Sequence, residues 1–293
     1  MRPSSRVLAL SSASPALRSA SFQRFRFTAH AAIGLATLVV IGAHGLRTAP
    51  PVAMAQAAPI APQRWPGAEL GKGTVLSETS PRYTVYSLKF TGGRPIELHD
   101  EDTDIVFVMG GAGTVVSGGT VVGKRALKDK EWTGTDIQGG TTTEVSKGSV
   151  LLLPKGVPHW FKSVTGSLEF YAVKVNEAGA PADQNAARTW TRAEVFKPTP
   201  QFYNGGDAHR YQLFAVARNG AGIPEVHDKE IDLVFVLDGT GTWVVGGAPA
   251  DKTRLAGGSP LRIGPNDGVM VPARMHHWFS EASTLSYYAM KVW

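Results

Sequence analysis

The sequence predicts an all-β protein of two tandem domains, on three observations. A block of about one domain's length occurs twice. Segments inside each block are short, rich in β-branched and aromatic residues, and separated by Gly, Pro and Asn. The longest helical candidate is the connector Ala186–Phe196, where Thr191-Arg192-Ala193-Glu194 can start a turn or two.

The repeat is the firmest of these. Arg82-Tyr83 matches Arg210-Tyr211, and the copies align without a gap at an offset of 128 as far as Gly118-Gly119 and Gly246-Gly247. After a shortening in the second copy, Pro154/Pro272, His159-Trp160-Phe161/His277-Trp278-Phe279 and Lys174-Val175/Lys291-Val292 align again. Strands are expected at Tyr83–Phe90, Asp104–Met109, Thr114–Ser117, Val150–Leu153 and Leu168–Val175, with Gly110-Gly111-Ala112-Gly113 as a turn. The expected division is a first barrel over 62–178, a connector over 179–200 without strand pattern, and a second barrel over 201–293.

Ahead of the repeat, residues 1–57 hold six arginines and no Lys, Asp or Glu, which leaves 24 basic against 24 acidic residues in the rest. The net charge of +6 therefore belongs to the N-terminal segment, and the neutral body argues against a nucleic-acid partner. An apolar run from Ala31 to Leu46 followed by Ala53-Met54-Ala55-Gln56-Ala57 reads as a signal peptide cleaved near Ala55 or Ala57. Export to a periplasm or to the outside follows, with no membrane contact after cleavage; the alternative is an uncleaved N-terminal membrane anchor. With no cysteine, the chain has no disulfide, thiolate site or thiol nucleophile, so a metal must sit on His, Asp or Glu.

Glu97, His99 and Asp104 precede the apolar run Ile105-Val106-Phe107-Val108-Met109, and Glu225, His227 and Asp232 precede its counterpart. Residues two apart on a strand share a face, so Glu97 and His99 point together into an apolar barrel where an unpaired carboxylate is costly. His159 and His277 follow later turns and bring a second imidazole to each copy. One such histidine beside a tryptophan reads as a satisfied core residue; the same four residue types in both halves favour metal binding. Two imidazoles with one or two carboxylates suit Fe(II), Mn(II), Zn(II) or Ni(II). Trp132, Trp160, Trp243 and Trp278 are core or pocket aromatics, and the longer first-copy segment Glu131–Gly140 can serve as a lid or a homodimer contact. No Ser/His/Asp triad signature, phosphate loop or nucleotide fingerprint is present.

These residues resemble the cupin superfamily, and the doubled arrangement resembles a bicupin. His99 stands where the family's second motif-one histidine stands, Asp104 at its glutamate and Gly111 at its glycine. Gly148-Ser149-Val150-Leu151-Leu152-Leu153-Pro154-Lys155-Gly156-Val157-Pro158-His159 follows the second motif throughout, whereas the C-terminal copy has Arg274 in place of the turn glycine. Both copies place glutamate, Glu97 and Glu225, at the first motif histidine. The resemblance implies two tandem jelly-roll barrels and a metal on His99, Asp104 and His159 and on His227, Asp232 and His277. It also implies dioxygenase, decarboxylase or isomerase chemistry on a small oxygenated molecule, or else a non-catalytic ligand-binding module. Glu97 and Glu225 are left as ligands, as general bases, or as carboxylates that disable the reaction.

Overall fold

The protein is described by a computed structural model covering residues 60–73, 75–80, 82–180 and 187–293. The expected signal segment lies outside the described residues. Among them, no helix is long and apolar enough to cross a membrane.

Alternation along two long strands places everything else. In the Asp102–Ser117 strand, Ile105, Phe107 and Met109 face one core while Val106 and Val108 face another; in Ile231–Val245, Leu233, Phe235 and Leu237 part from Val234 and Val236 in the same way. Each strand is thus apolar on both faces, as a strand buried on both sides must be. The cores of Val106 and of Val234 are the interiors of the two barrels. The third core is shared: Phe107, Tyr171, Phe235 and Tyr288 meet there, with ring centroids 4.6 Å apart for Tyr171–Phe235 and 5.0 Å for Phe107–Phe235. The hydroxyls of Tyr171 and Tyr288 are used symmetrically. Tyr171 donates to the carbonyl of Asn266 in the other barrel, and Tyr288 to that of Gly148, each at 2.7 Å.

Each barrel is built on a seven-stranded sheet. In the first, Asp102–Ser117 lies between Val150–Leu153 and His159–Asn176, and the latter continues to Tyr83–Phe90; Ile231–Val245, Gly268–Val271, His277–Val292 and Tyr211–Arg218 repeat the arrangement. The expected turn at Gly110–Gly113 is not one. The strand runs through it for 16 residues and bends around the barrel, with register breaks against His159–Asn176 near Thr165 and Leu168. Gly111 makes the bend at φ 75°, where a Cβ would lie 1.7 Å from the Ser167 carbonyl oxygen, and Gly239 does the same in the second barrel.

The edges differ from the expected domain boundaries. Gln63–Trp65, inside the stretch expected for the first barrel, pairs with Gly268–Val271 of the second. Arg188–Trp190, inside the connector expected to lack strand pattern, pairs with Val150–Leu153 of the first, and the turn starting at Thr191 follows it with a capping box to Glu194. These exchanged strands are themselves a repeat: Trp65-Pro66-Gly67-Ala68-Glu69-Leu70 parallels Trp190-Thr191-Arg192-Ala193-Glu194-Val195, with a different offset from the main block. Asp267 fastens the first exchange, accepting from Arg64 at 2.9 Å and from the Gly67 backbone N–H at 2.6 Å.

Candidate metal centre

The same alternation that sends Val106 and Val108 inward sends Asp104 inward at the strand entry, and Asp232 follows suit in the second barrel. Glu97 is joined to His159 by a reciprocal pair of backbone hydrogen bonds, both 2.9 Å, and Glu225 to His277 likewise. The two sequence motifs are thereby pinned side by side. The turn before each second histidine is held from the first motif: Gly156 N–H donates to the His99 carbonyl and Arg274 N–H to that of His227. Arg274 adopts the left-handed conformation of the glycine it replaces, φ 65° against 75°, so the turn survives the substitution.

All four candidates in the first barrel converge. Nε2 of His99 lies 3.2 Å from Asp104 and 3.5 Å from Glu97, and Nε2 of His159 lies 3.5 Å from Asp104 and 3.9 Å from Glu97. Nδ1 of His159 faces the Val157 carbonyl at 3.2 Å and must donate to it, which leaves Nε2 with a free lone pair toward the cluster. Both ring nitrogens of His99 are buried without a hydrogen bond of good geometry. Four oxygen and nitrogen donors within 4.8 Å of one another, two of them on imidazoles, fit a divalent cation, so the cluster can hold a metal ion.

In the second barrel Glu225, His227 and His277 converge in the same way, and Asp232 touches Nε2 of His227 at 3.3 Å and of His277 at 3.1 Å. His277 repeats the Nδ1 contact, to the Met275 carbonyl at 3.1 Å.

Two partners escaped the sequence reading. Lys174, at the inward parity of Phe170 and Ala172, puts Nζ 3.0 Å from Asp104, and its counterpart Lys291 puts Nζ 2.6 Å from Nε2 of His227. Both stand in the aligned pair at the end of the repeat, and counting by twos back from them along the strand would have turned them inward. Glu131 is the other, 3.6 Å from Nδ1 of His99. It comes from the first-copy insertion, whose Glu131–Thr133 strand pairs with Leu98–His99, so this stretch buttresses the first histidine.

The lysine positions separate the two sites electrostatically. Burial alone pushes the Asp104 carboxyl up, but Lys174 and the two histidines outweigh it and hold the group well below the usual range. Asp232 is raised by burial, since Lys291 stands back at 3.9 Å. His99 is disfavoured as a cation by burial, yet the carboxylates of Asp104 and Glu97 push it up to about 9. His277 is lowered, by burial first.

The two interiors differ as well. Phe90, Phe161 and Phe170 fill the first, with centroids 4.9 to 5.4 Å apart. In the second, a cavity of about 280 Å³ reaches Glu225, Asp232, His277 and Lys291, walled by Phe214, Trp243, Trp278 and Phe279. Trp243 and Trp278 are therefore pocket residues.

Residues 83–197 match the family model described as Cupin, over a region that carries the whole first barrel's motif set. This region of the chain is a cupin domain. Among solved structures the chain is similar to a salicylate 1,2-dioxygenase from Pseudaminobacter salicylatoxidans, at 11% identity and TM-score 0.53 over 79% of this chain and 84% of that one. It is also similar to protein Ylba from E. coli (13% identity, TM-score 0.49, 75% and 81% covered) and to an 11S globulin from Wrightia tinctoria (11%, 0.46, 74% and 78%). At 11% identity the likeness to the dioxygenase is one of fold. No curated protein matches the sequence.

Proposed function

We propose that this cupin is an exported, metal-dependent enzyme of the two-barrel kind, acting on a small oxygenated organic molecule by dioxygenase, decarboxylase or isomerase chemistry. The observation that carries this reading is the convergence of Glu97, His99, Asp104 and His159 with the His159 lone pair turned into the cluster. His99, Asp104 and His159 would hold Fe, Mn, Zn or Ni, with His227, Asp232 and His277 as their second-barrel counterparts. When bound, such an ion supplies Lewis acidity toward a carbonyl or enol oxygen.

The chain's own groups do the rest. Lys174 keeps Asp104 ionised, and Glu131 orients His99 from behind. Glu97 differs from the other three in being 41% exposed at its side chain, and Glu225 matches it at 44%, so each carboxylate faces the side from which a molecule arrives. Glu97 is held below the usual carboxylate range because the neighbouring histidines outweigh its burial, and Glu225 by its contact with His227. An ionised carboxylate at the mouth could take a proton from a bound substrate, which supports reading Glu97 and Glu225 as general bases.

Purified protein is expected to carry divalent metal by elemental analysis, and His159→Ala with His277→Ala to lose it. Glu97→Ala should keep the first-barrel metal while turnover in a screen of small keto and hydroxy acids falls about 10²- to 10⁴-fold. Metal-free wild-type protein would overturn the reading. The second reading, a non-catalytic ligand-binding barrel, is favoured by the Lys291 contact with His227, which already supplies a cation to that cluster. It takes over if metal is present and no substrate turns over.

A further inference from the structure

We propose that the C-terminal barrel carries a binding site for a small organic carboxylate with an apolar body, anchored on Arg218. This goes beyond the metal reading and stands without it, because the groups concerned belong to the cavity wall.

Superposing the two copies by the repeat shows how the site was made. Phe90 of the first barrel becomes Arg218, Arg94 becomes Gly222, Phe170 becomes Tyr287 and Val115 becomes Trp243. In the first barrel Phe90 packs inward against Phe161 and Phe170, while Arg94 lies over the Phe90 ring at 4.8 Å. In the second the arginine has moved to the inner position, and a glycine takes the place the arginine left. That glycine leaves room for the guanidinium where it stands: a Cβ on Gly222 would lie 2.4 Å from Nη1 of Arg218 and displace it. The backbone around the exchange is unchanged, since the Gly222 carbonyl accepts from Trp278 Nε1 just as the Arg94 carbonyl accepts from Trp160 Nε1.

The result is a cavity with two unused donors, beside an Arg218 guanidinium that also meets the Tyr287 hydroxyl. Nε of Arg218 and Nε1 of Trp243 are both buried without a hydrogen-bond partner, and both residues line the cavity. Among the described residues no carboxylate lies within ion-pair distance of Arg218. A permanently charged guanidinium turned to an apolar pocket without a counter-ion is costly, and an arriving carboxylate relieves the cost. The carboxylates that also line the cavity, Glu225 and Asp232, have Lys291 at 4.0 and 3.9 Å and the two histidines beside them. They are matched within their own cluster and leave Arg218 to the ligand. Phe214, Trp243 and Phe279 supply the apolar wall, so the ligand is a carboxylate on a ring or short hydrocarbon, not a highly hydroxylated acid.

The probe is benzoate, with hexanoate as the open-chain member and benzyl alcohol as the uncharged comparison. Binding is read by calorimetry and by the fluorescence of the cavity tryptophans, on chelator-treated and on metal-loaded full chain. Wild type should bind benzoate in both states and benzyl alcohol at least tenfold more weakly, as loss of a charge-assisted contact requires. Arg218→Met should weaken benzoate about tenfold or more and leave benzyl alcohol unchanged. Gly222→Val should do the same by evicting the guanidinium, while Arg94→Met, at the counterpart of Gly222, should leave binding intact. Circular dichroism separates loss of fold from loss of the site. Failure of both carboxylates to bind, or equal benzoate affinity in folded Arg218→Met, overturns the proposal. Because both results are read on the chelator-treated chain, neither bears on the metal centre.

Discussion

At the scale of single residues, the metal-free cluster makes a definite prediction about pH. His99 is nearly inaccessible and its imidazolium is favoured in the fold, with its ordinary value of 6.5 moved to about 9. A group raised on folding contributes stability that is complete below its unfolded value and lost as pH rises through the folded one. Chelator-treated protein should therefore lose on the order of 3 kcal/mol of unfolding free energy between pH 6.5 and pH 9. His99→Gln should flatten that decline. Added divalent metal should have the opposite dependence, stabilising more as pH rises through the same window, since a ligating imidazole must be neutral. A level denaturation profile for the metal-free wild type would mean that His99 is already neutral there. The histidines and carboxylates were legible in the sequence because they recur at fixed spacing beside an apolar run. Lys174 and Glu131 were not: one is visible only when strand parity is carried back to it, and the other depends on which strand the insertion pairs with.

At the scale of elements, the lesson lies in the glycines. A Gly-x-Gly sequence between apolar runs reads as a hairpin turn, yet both long strands pass through theirs unbroken. Local composition signals a backbone needing positive φ, which a bulge satisfies as well as a turn does, and only the partner strand decides between them. Gly111→Val should test the distinction. With φ 75° and the Ser167 carbonyl 1.7 Å from the new Cβ, the substitution is expected to cost about 2 to 4 kcal/mol by denaturant titration. Gly118→Val, also at positive φ but with no atom within 4 Å of its Cβ, should cost about 1 to 2 kcal/mol. Equal costs would remove the role assigned to the bend. The strands Tyr83–Phe90 and Val150–Leu153 coincide with their expected limits, because each combines a clean apolar pattern with Gly, Pro or charged flanks.

At the scale of the molecule, the repeat announces two barrels, but it does not say how they meet. Aromatic contacts of Phe107 and Tyr171 with Phe235 and Tyr288 run between them, so their stabilities are coupled. Calorimetry should show one unfolding transition for the two barrels, and Phe107→Ala, a first-barrel change, should cost about 3 to 5 kcal/mol and lower that single transition without splitting it. Two resolved transitions would contradict a common core. The connector read as structureless because its three-residue strand is too short to carry a pattern of its own; it is legible only beside Trp65, whose partner lies 203 residues away at Gly268. That exchange has a consequence for biosynthesis. The segment that closes the edge of the second barrel emerges from the ribosome before any of the first, so the C-terminal sheet cannot be completed by its own half of the chain and must wait, edge strand already made, for Gly268–Val271 to arrive.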